Sequence, residues 1–386
     1  MDFYKKKQFY KKEKYNLPKI IKSNKQIFSG SGGSHNIIII HNDIAIKIIP
    51  EVNKHPLEKT KRDNDQKEIK YYILFTNELI LQDITPHIVG YYSHYKLFDI
   101  EPIFPKKCLT ISQKLLLSLK KIDYVKETVC RMKEEYENKI IMSRADILIL
   151  EKCDATISKE TYNIINTKNK NKYKLLVEFI HRTIFQFMYS MACIQKKYPH
   201  FIHNDMFLRN ILGVYETEFN DNDCVEYIWN NESYYLPANG FYLKINDFGY
   251  SLNPPKIVST VLTDIKFNPL GSMWEYDDQK RDIYTFLYDY YDGANLGNSS
   301  IMNIIGNKSY KIKKFIRKQF AKYINVQLID KIHKNSRYLL HWIWNIKNIK
   351  LLQDSILLPH QYFSKNIFKR YKAKKNWNVV KTFQYE

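Results

Sequence analysis

The chain has 386 residues, 61 of them Lys or Arg against 40 Asp or Glu, for a formal charge of +21. With 44% apolar and 15% aromatic residues it can bury a sizeable core, and its 11 Gly and 12 Pro exclude collagen-like and low-complexity designs. No apolar stretch approaches the ~20 residues of a membrane span, the start at Met1-Asp2-Phe3 lacks an apolar signal core, and five scattered cysteines without zinc spacing read as free thiols, so a soluble, cytoplasmic protein is expected.

Residues 1–26 form a basic tail with Lys5, Lys6, Lys7, Lys11, Lys12 and Lys14 and no sustained apolar period. It reads as a flexible, solvated segment, with docking of an acidic or nucleic-acid partner as the sharper alternative. Ile, Asn, Tyr and Lys all have A/T-rich codons, so codon bias is a second source of the positive charge. From Ile27 the pattern turns strand-like: Ile27-Phe28, a Gly/Ser turn at 30–34, the β-branched run Ile37 to Ile40, a turn at His41-Asn42-Asp43, and Ile44 to Ile49. A helix is expected over Lys59 to Leu81, stopped at Thr85-Pro86. A strand follows near Ile88 to Tyr92, then an ambiguous insertion at about 96–144 with helical composition from Ser112 to Lys139. Ile147 to Leu150 is a short strand running into Glu151-Lys152-Cys153-Asp154. Leu175 to Gln195 reads as a long, mostly apolar helix. Ile211-Leu212 and Tyr242 to Ile245 form a strand pair around a polar excursion at about 215–239, and helices are expected over Asp282 to Tyr291 and much of 309–372. Strands first and helices later make an α+β layout with two lobes.

Four segments carry chemistry. Gly30, Gly32 and Gly33 would let backbone N–H groups approach phosphate oxygens, although any hairpin turn can be Gly-rich. Lys47 stands inside the apolar run Ile44-Ala45-Ile46-Lys47, where a buried ammonium needs an anionic partner unless it snorkels from an edge strand. Period 2 places Ala45 and Lys47 on one face. Asp205 and Asn210 stand five residues apart between apolar flanks, as a hydroxyl-orienting carboxylate and a hard-cation ligand would. Asp247 leaves a strand directly before Phe248-Gly249, again suited to a metal. An Asx turn is the plain structural reading of either acidic segment.

Taken in order, these segments resemble the protein-kinase superfamily, whose signature is a Gly-rich loop, V-A-I-K, H-R-D with an Asn five residues on, and D-F-G. The composition and the His203-Asn204-Asp205 variant resemble divergent serine/threonine protein kinases of large nucleocytoplasmic DNA viruses, which would place the protein in host cytoplasm or virion. The resemblance implies a two-lobed kinase-like fold. A small antiparallel-sheet lobe with one main helix (27–153) would precede a larger, mainly helical lobe (154–386). It implies transfer of the ATP γ-phosphate to Ser/Thr hydroxyls of protein substrates, with Mg2+ or Mn2+. Lys47, paired with Glu68 (or less readily Glu78 or Glu58), would contact the α/β-phosphates. Asn210 and Asp247 would hold the metal, and Asp205 would orient the hydroxyl. Ala45 and Leu212 would sandwich adenine beside the linker Glu151 to Cys153. Asp282 would brace the catalytic loop, and His203, Phe248 and Tyr72 would form an internal column.

Several positions depart from the family pattern. The third loop Gly is missing, and Asn204 replaces the Arg that would receive an activation-loop phosphate, so Ser259, Thr260 and Thr263 carry no assigned role. Phe207 stands where Ser/Thr-specific members carry Lys, and Arg209 stands where tyrosine-specific members carry Arg, suited to neutralising the γ-phosphate. A small-molecule kinase of the aminoglycoside or choline type and a catalytically silent scaffold remain the alternatives.

Overall fold

The computed structural model describes residues 27–29, 36–53, 56–104, 108, 124–251, 280–291, 301–305, 310–327, 329, 355–373 and 376–385. The basic tail, the turn with Gly30, Gly32 and Gly33, and the segment with Ser259, Thr260 and Thr263 lie outside the described residues. The chain divides into two compact units, one of residues 1–76 and 89–153, the other of 77–88 and 154–386.

The first unit is built on a five-stranded antiparallel sheet in the order β1-β2-β3-β5-β4. Its strands are β1 (Ile27–Ser29), β2 (Ile37–His41), β3 (Ile44–Val52), β4 (Tyr91–Leu97) and β5 (Ile141–Glu151). β2 and β3 close through Asn42-Asp43, with Asn42 at φ 51°, a left-handed conformation that Asn tolerates. Helix α1 (Pro56–Phe75) runs on into a π-helical turn at Thr76–Ile80, and α2 (Tyr124–Glu137) lies within the expected insertion. That helix is part of the core: Val129 and Met132 pack with Ile37, Ile39, Ile46, Ile48, Ile147 and Ile149. Each such side chain contributes roughly 1.5–3 kcal/mol on leaving water. β4 starts three residues later than the Ile88 expected, because Ile88 belongs to the second unit and forms an isolated parallel bridge to Ile245.

The second unit is organised on the 26-residue helix α4 (Lys172–Lys197), which follows β6 (Ala155–Thr156) and α3 (Ile157–Asn166). Every residue from Thr183 to Gln195 is buried, none of them charged, so this helix is surrounded by the unit rather than lying on it. β7 (Ile211–Glu216), β8 (Asp223–Trp229), β9 (Glu232–Pro237) and β10 (Gly240–Ile245) come next, followed by α5 (Lys280–Tyr291), α6 (Ile301–Ile305), α7 (Tyr310–Phe320), α8 (Pro359–Ser364) and β11 (Asn378–Gln384). β10, β7 and β6 form one small sheet. At its centre Gly213 admits the Phe241 ring so closely that a Cβ would meet Cζ at 2.0 Å.

The expected polar excursion is instead an ordered hairpin. β8 and β9 pair around Asn230-Asn231, both with positive φ (49° and 64°), as a two-residue hairpin turn requires. β11 adds to the open edge of β8 in parallel, giving the order β11-β8-β9. Within 309–372 the described helices are α7 and α8, and β11 is a strand where no element was expected. No helix among the described residues is long and apolar enough to cross a membrane.

Candidate functional site

In the first unit, β3 presents Ile44, Ile46 and Ile48 to the core layer, and alternation turns Ala45 and Lys47 the other way. The Lys47 ammonium lies 2.5 Å from Glu68 Oε1, with 7% and 2% of the two side chains exposed. Glu68 sits on α1 between Lys67 and Ile69, all three buried. Glu78 is engaged elsewhere, by Lys197 at 3.2 Å and by the Tyr198 hydroxyl, and the Glu58 side chain lies outside the described residues. Ala45 pairs with Leu150 on β5. Glu151, at the end of β5, is occupied structurally: its carboxylate accepts the Gly90 N–H at 3.0 Å and its own N–H donates to the Gly90 carbonyl at 2.8 Å. Cys153 is half-buried, and Tyr72 is fully buried within this unit.

In the second unit the segment Phe201 to Phe207 is an irregular loop that closes in a 3-10 turn at Leu208–Asn210, anchored by the buried side chains of Phe201, Ile202, Met206 and Leu208. A loop of this kind leaves backbone N–H groups without a ladder, and α5 supplies acceptors. Asp282 takes the N–H of His203 (2.6 Å) and of Asn204 (2.9 Å), and Asp289, two turns along, takes that of Leu208 (2.8 Å). Burial raises the Asp282 carboxyl to about 6, against the pull of those two N–H groups. The brace at Asp289 went unread in the sequence, although its seven-residue spacing from Asp282 puts both carboxylates on one helical face.

The two clamps frame Asp205. Its Oδ2 and its backbone carbonyl both accept from Asn210 Nδ2 at 2.8 Å, and its Oδ1 accepts from Arg209 at 2.6 Å. Arg209 also lies over the Phe207 ring, 4.6 Å from its centre. Burial raises the Asp205 pKa above the ordinary aspartate value, Arg209 opposes that, and the Asp247 charge adds to it. The Asn210 carbonyl accepts the Asn246 N–H (3.0 Å), so the loop and the end of β10 are stitched directly together. His203 donates through Nε2 to the Asn246 carbonyl (3.0 Å), and its ring lies 5.2 Å from that of Phe248. Burial holds this imidazole down to about 4, which keeps it neutral. Asn204 and Asp247 both have left-handed backbones, φ 65° and 67°. Conformations of this kind cost roughly 1–3 kcal/mol for non-glycine residues and concentrate at functional sites.

The donor chemistry fits a hard divalent cation. The Asn210 amide nitrogen is committed to Asp205, so only its oxygen is of use to a cation, and Asp247 brings a carboxylate whose field reaches Asp205. Among the described residues no trio of His, Cys, Asp or Glu could hold a metal on side chains alone. Mg2+ asks for less: one or two protein oxygens, completed by substrate phosphates and water. Leu212 is half-buried on β7, opposite Lys244.

No protein-family model matches the chain. It is 35% identical over 357 residues to "Putative serine/threonine-protein kinase R301" of Acanthamoeba polyphaga mimivirus, a match that spans 88% of this chain and 87% of that relative.

Proposed function

The chain belongs to the protein-kinase superfamily, among the divergent kinases of giant DNA viruses, and from that premise we propose that it transfers the γ-phosphate of ATP to serine or threonine hydroxyls of protein substrates. The observation that carries the reading is the setting of Asp205: a half-buried carboxylate, gripped by Asn210 and Arg209, in a loop whose N–H groups are held by Asp282 and Asp289.

Phosphoryl transfer asks little covalent chemistry of the protein and much positioning and charge neutralisation. Asp205 orients the substrate hydroxyl and accepts its proton. Its Asn210 contacts fix the carboxylate before the substrate arrives. Arg209 tempers the charge of Asp205 and offers a cation to the transferring group. Lys47, held in one rotamer by Glu68, binds the α/β-phosphates of ATP. Asn210 and Asp247 would hold Mg2+, which would supply charge neutralisation on the phosphates. Within the first unit, Ala45 would offer adenine an apolar surface and the backbone from Glu151 to Cys153 its hydrogen bonds.

The test is turnover of radiolabelled ATP with Mg2+ on casein, myelin basic protein and a small-molecule panel, wild type beside Asp247→Asn. Label on protein Ser or Thr that disappears in the variant is expected. Label on Tyr, or on small molecules alone, overturns the substrate assignment. Nucleotide binding without turnover in the wild type overturns the enzyme.

A further inference from the structure

Strand β11 makes more contacts than its place in the sequence explains, and they converge on one short segment. Its backbone pairs with β8 from Asn378↔Asp223 to Gln384↔Ile228. Side chains reinforce the seam: Asn378 Nδ2 donates to Asp223 (3.2 Å) and the Thr382 hydroxyl to Glu226 (3.1 Å). From α4, the Tyr189 hydroxyl bonds to the Phe383 carbonyl (3.0 Å) and Lys196 lies 4.4 Å from the centre of the Tyr385 ring. The far side of β11 grips Asp83. Lys381 Nζ is 2.6 Å from its carboxylate, and the Gln384 N–H donates to its carbonyl at 3.0 Å. Asp83 itself has φ 53°, a left-handed turn conformation that Asp tolerates and that presents both its carboxylate and its carbonyl to β11.

Asp83 belongs to the segment 77–88, and that segment reaches the metal-ligand loop through His87. Its Nε2 accepts from the Tyr227 hydroxyl (2.9 Å), its Nδ1–H donates to the Leu243 carbonyl (3.0 Å), and its own carbonyl accepts the Ile245 N–H (2.9 Å). The Tyr227 ring lies 5.5 Å from that of Phe383 on β11. Ile245 is two residues before Asp247.

We infer that β11 is a strap: it pins segment 77–88 through Asp83, backs Tyr227 through Phe383, and so fixes the strand that delivers Asn246 and Asp247. Lys381, Phe383, Tyr227 and His87 are positioning residues in this arrangement, none of them touching substrate. The strap rests on geometry within one unit, and only its consequence for turnover rests on the kinase reading.

Hydrogen exchange on the full chain tests it, comparing Lys381→Glu, Lys381→Arg and Tyr227→Phe. Lys381→Glu sets like charges together at Asp83 and is expected to speed exchange about fivefold in 378–384, 80–88 and 243–247, with α5 and the first unit unchanged. Lys381→Arg is expected to behave as wild type. Tyr227→Phe is expected to speed 243–247 while leaving 378–384 protected, because it cuts the relay beyond the strap. Faster exchange confined to 378–384 in the Glu variant overturns the inference, and so does uniform acceleration across the whole unit. Under the kinase reading, kcat falls in step with loosening at 243–247 while the KM for protein substrate holds. Local loosening with unchanged kcat would retain the strap and reject its role in catalysis.

Discussion

The Lys47 ammonium and the Glu68 carboxylate meet 21 residues apart in sequence and 2.5 Å apart in space, both withdrawn from water. Two ions in such a place are tolerable only together. Each offsets the desolvation of the other, and the pair as a whole adds little stability over apolar residues of the same volume.

Glu68→Ala alone is therefore expected to destabilise the protein by about 3–5 kcal/mol, because it takes the nearest carboxylate away from a buried ammonium. The double variant Lys47→Met/Glu68→Leu should recover most of that loss in urea unfolding while remaining without kinase turnover. A double variant no more stable than Glu68→Ala would show that the pair is a net stabiliser and not a retained functional device.

An ammonium inside an apolar strand called for an anionic partner of some kind, and it was the kinase resemblance that pointed to Glu68 on the helix that follows. The Asp282 brace was legible from the kinase resemblance, whereas Asp289 went unnoticed although it lies two turns along the same helix. The hairpin of β8 and β9 carried its own signal in Asn230-Asn231 between alternating strands, but the acidic residues around it made it read as an excursion. β11 carried almost none. A parallel edge strand takes its register from a partner some 150 residues away, and nothing in Asn378–Gln384 names that partner. Likewise α2 read as an insertion because its amphipathic face matches a sheet surface and no sequence neighbour.

Gly213 tests how tightly β7 and β10 are packed. A methyl group there would fall 2.0 Å from Phe241 Cζ and 2.4 Å from Cε1, a ring wedged against α4 through Phe179 at 5.2 Å. Gly213→Ala should cost about 1–3 kcal/mol as an overpacked core. Gly213→Ala/Phe241→Leu should recover much of it in thermal unfolding, since Leu vacates the clashing edge. Equal loss in single and double variants would place the cost in the backbone of β7.

Asp282 gives a pH signature of opposite sign to an ordinary ion-paired carboxylate. Its folded pKa is raised to about 6, chiefly by burial, against an ordinary value of 3.8. Its contribution to stability is thus fully present below about pH 3.8 and is lost as pH rises through about 6. Asp282→Asn keeps one acceptor for the His203 and Asn204 N–H groups and does not titrate. The destabilisation it causes should be largest below about pH 3.8 and shrink by on the order of 2 kcal/mol between pH 4.5 and pH 7, measured by urea unfolding at both. A penalty that stays constant or grows with pH would mean that the two N–H groups hold the carboxylate ionised, with burial the lesser influence.

Arg209 can be separated from the chemistry it flanks by its effect on Asp205. The Asp205 pKa is raised by burial and by Asp247, and the guanidinium 2.6 Å away pulls it back. Removing that charge must move the carboxyl further up. If turnover needs Asp205 ionised to accept the hydroxyl proton, half-maximal kcat on the acid side moves to higher pH in Arg209→Gln. Arg209→Lys keeps the charge while losing the planar fork, so it should return the acid limb toward wild type even where its maximal rate stays low. The two variants thus split charge from geometry: a limb displaced in Gln and restored in Lys assigns Arg209 the tuning of Asp205. A limb fixed in both, with the rate reduced at every pH, assigns the guanidinium to the substrate phosphate and removes it from the proton transfer.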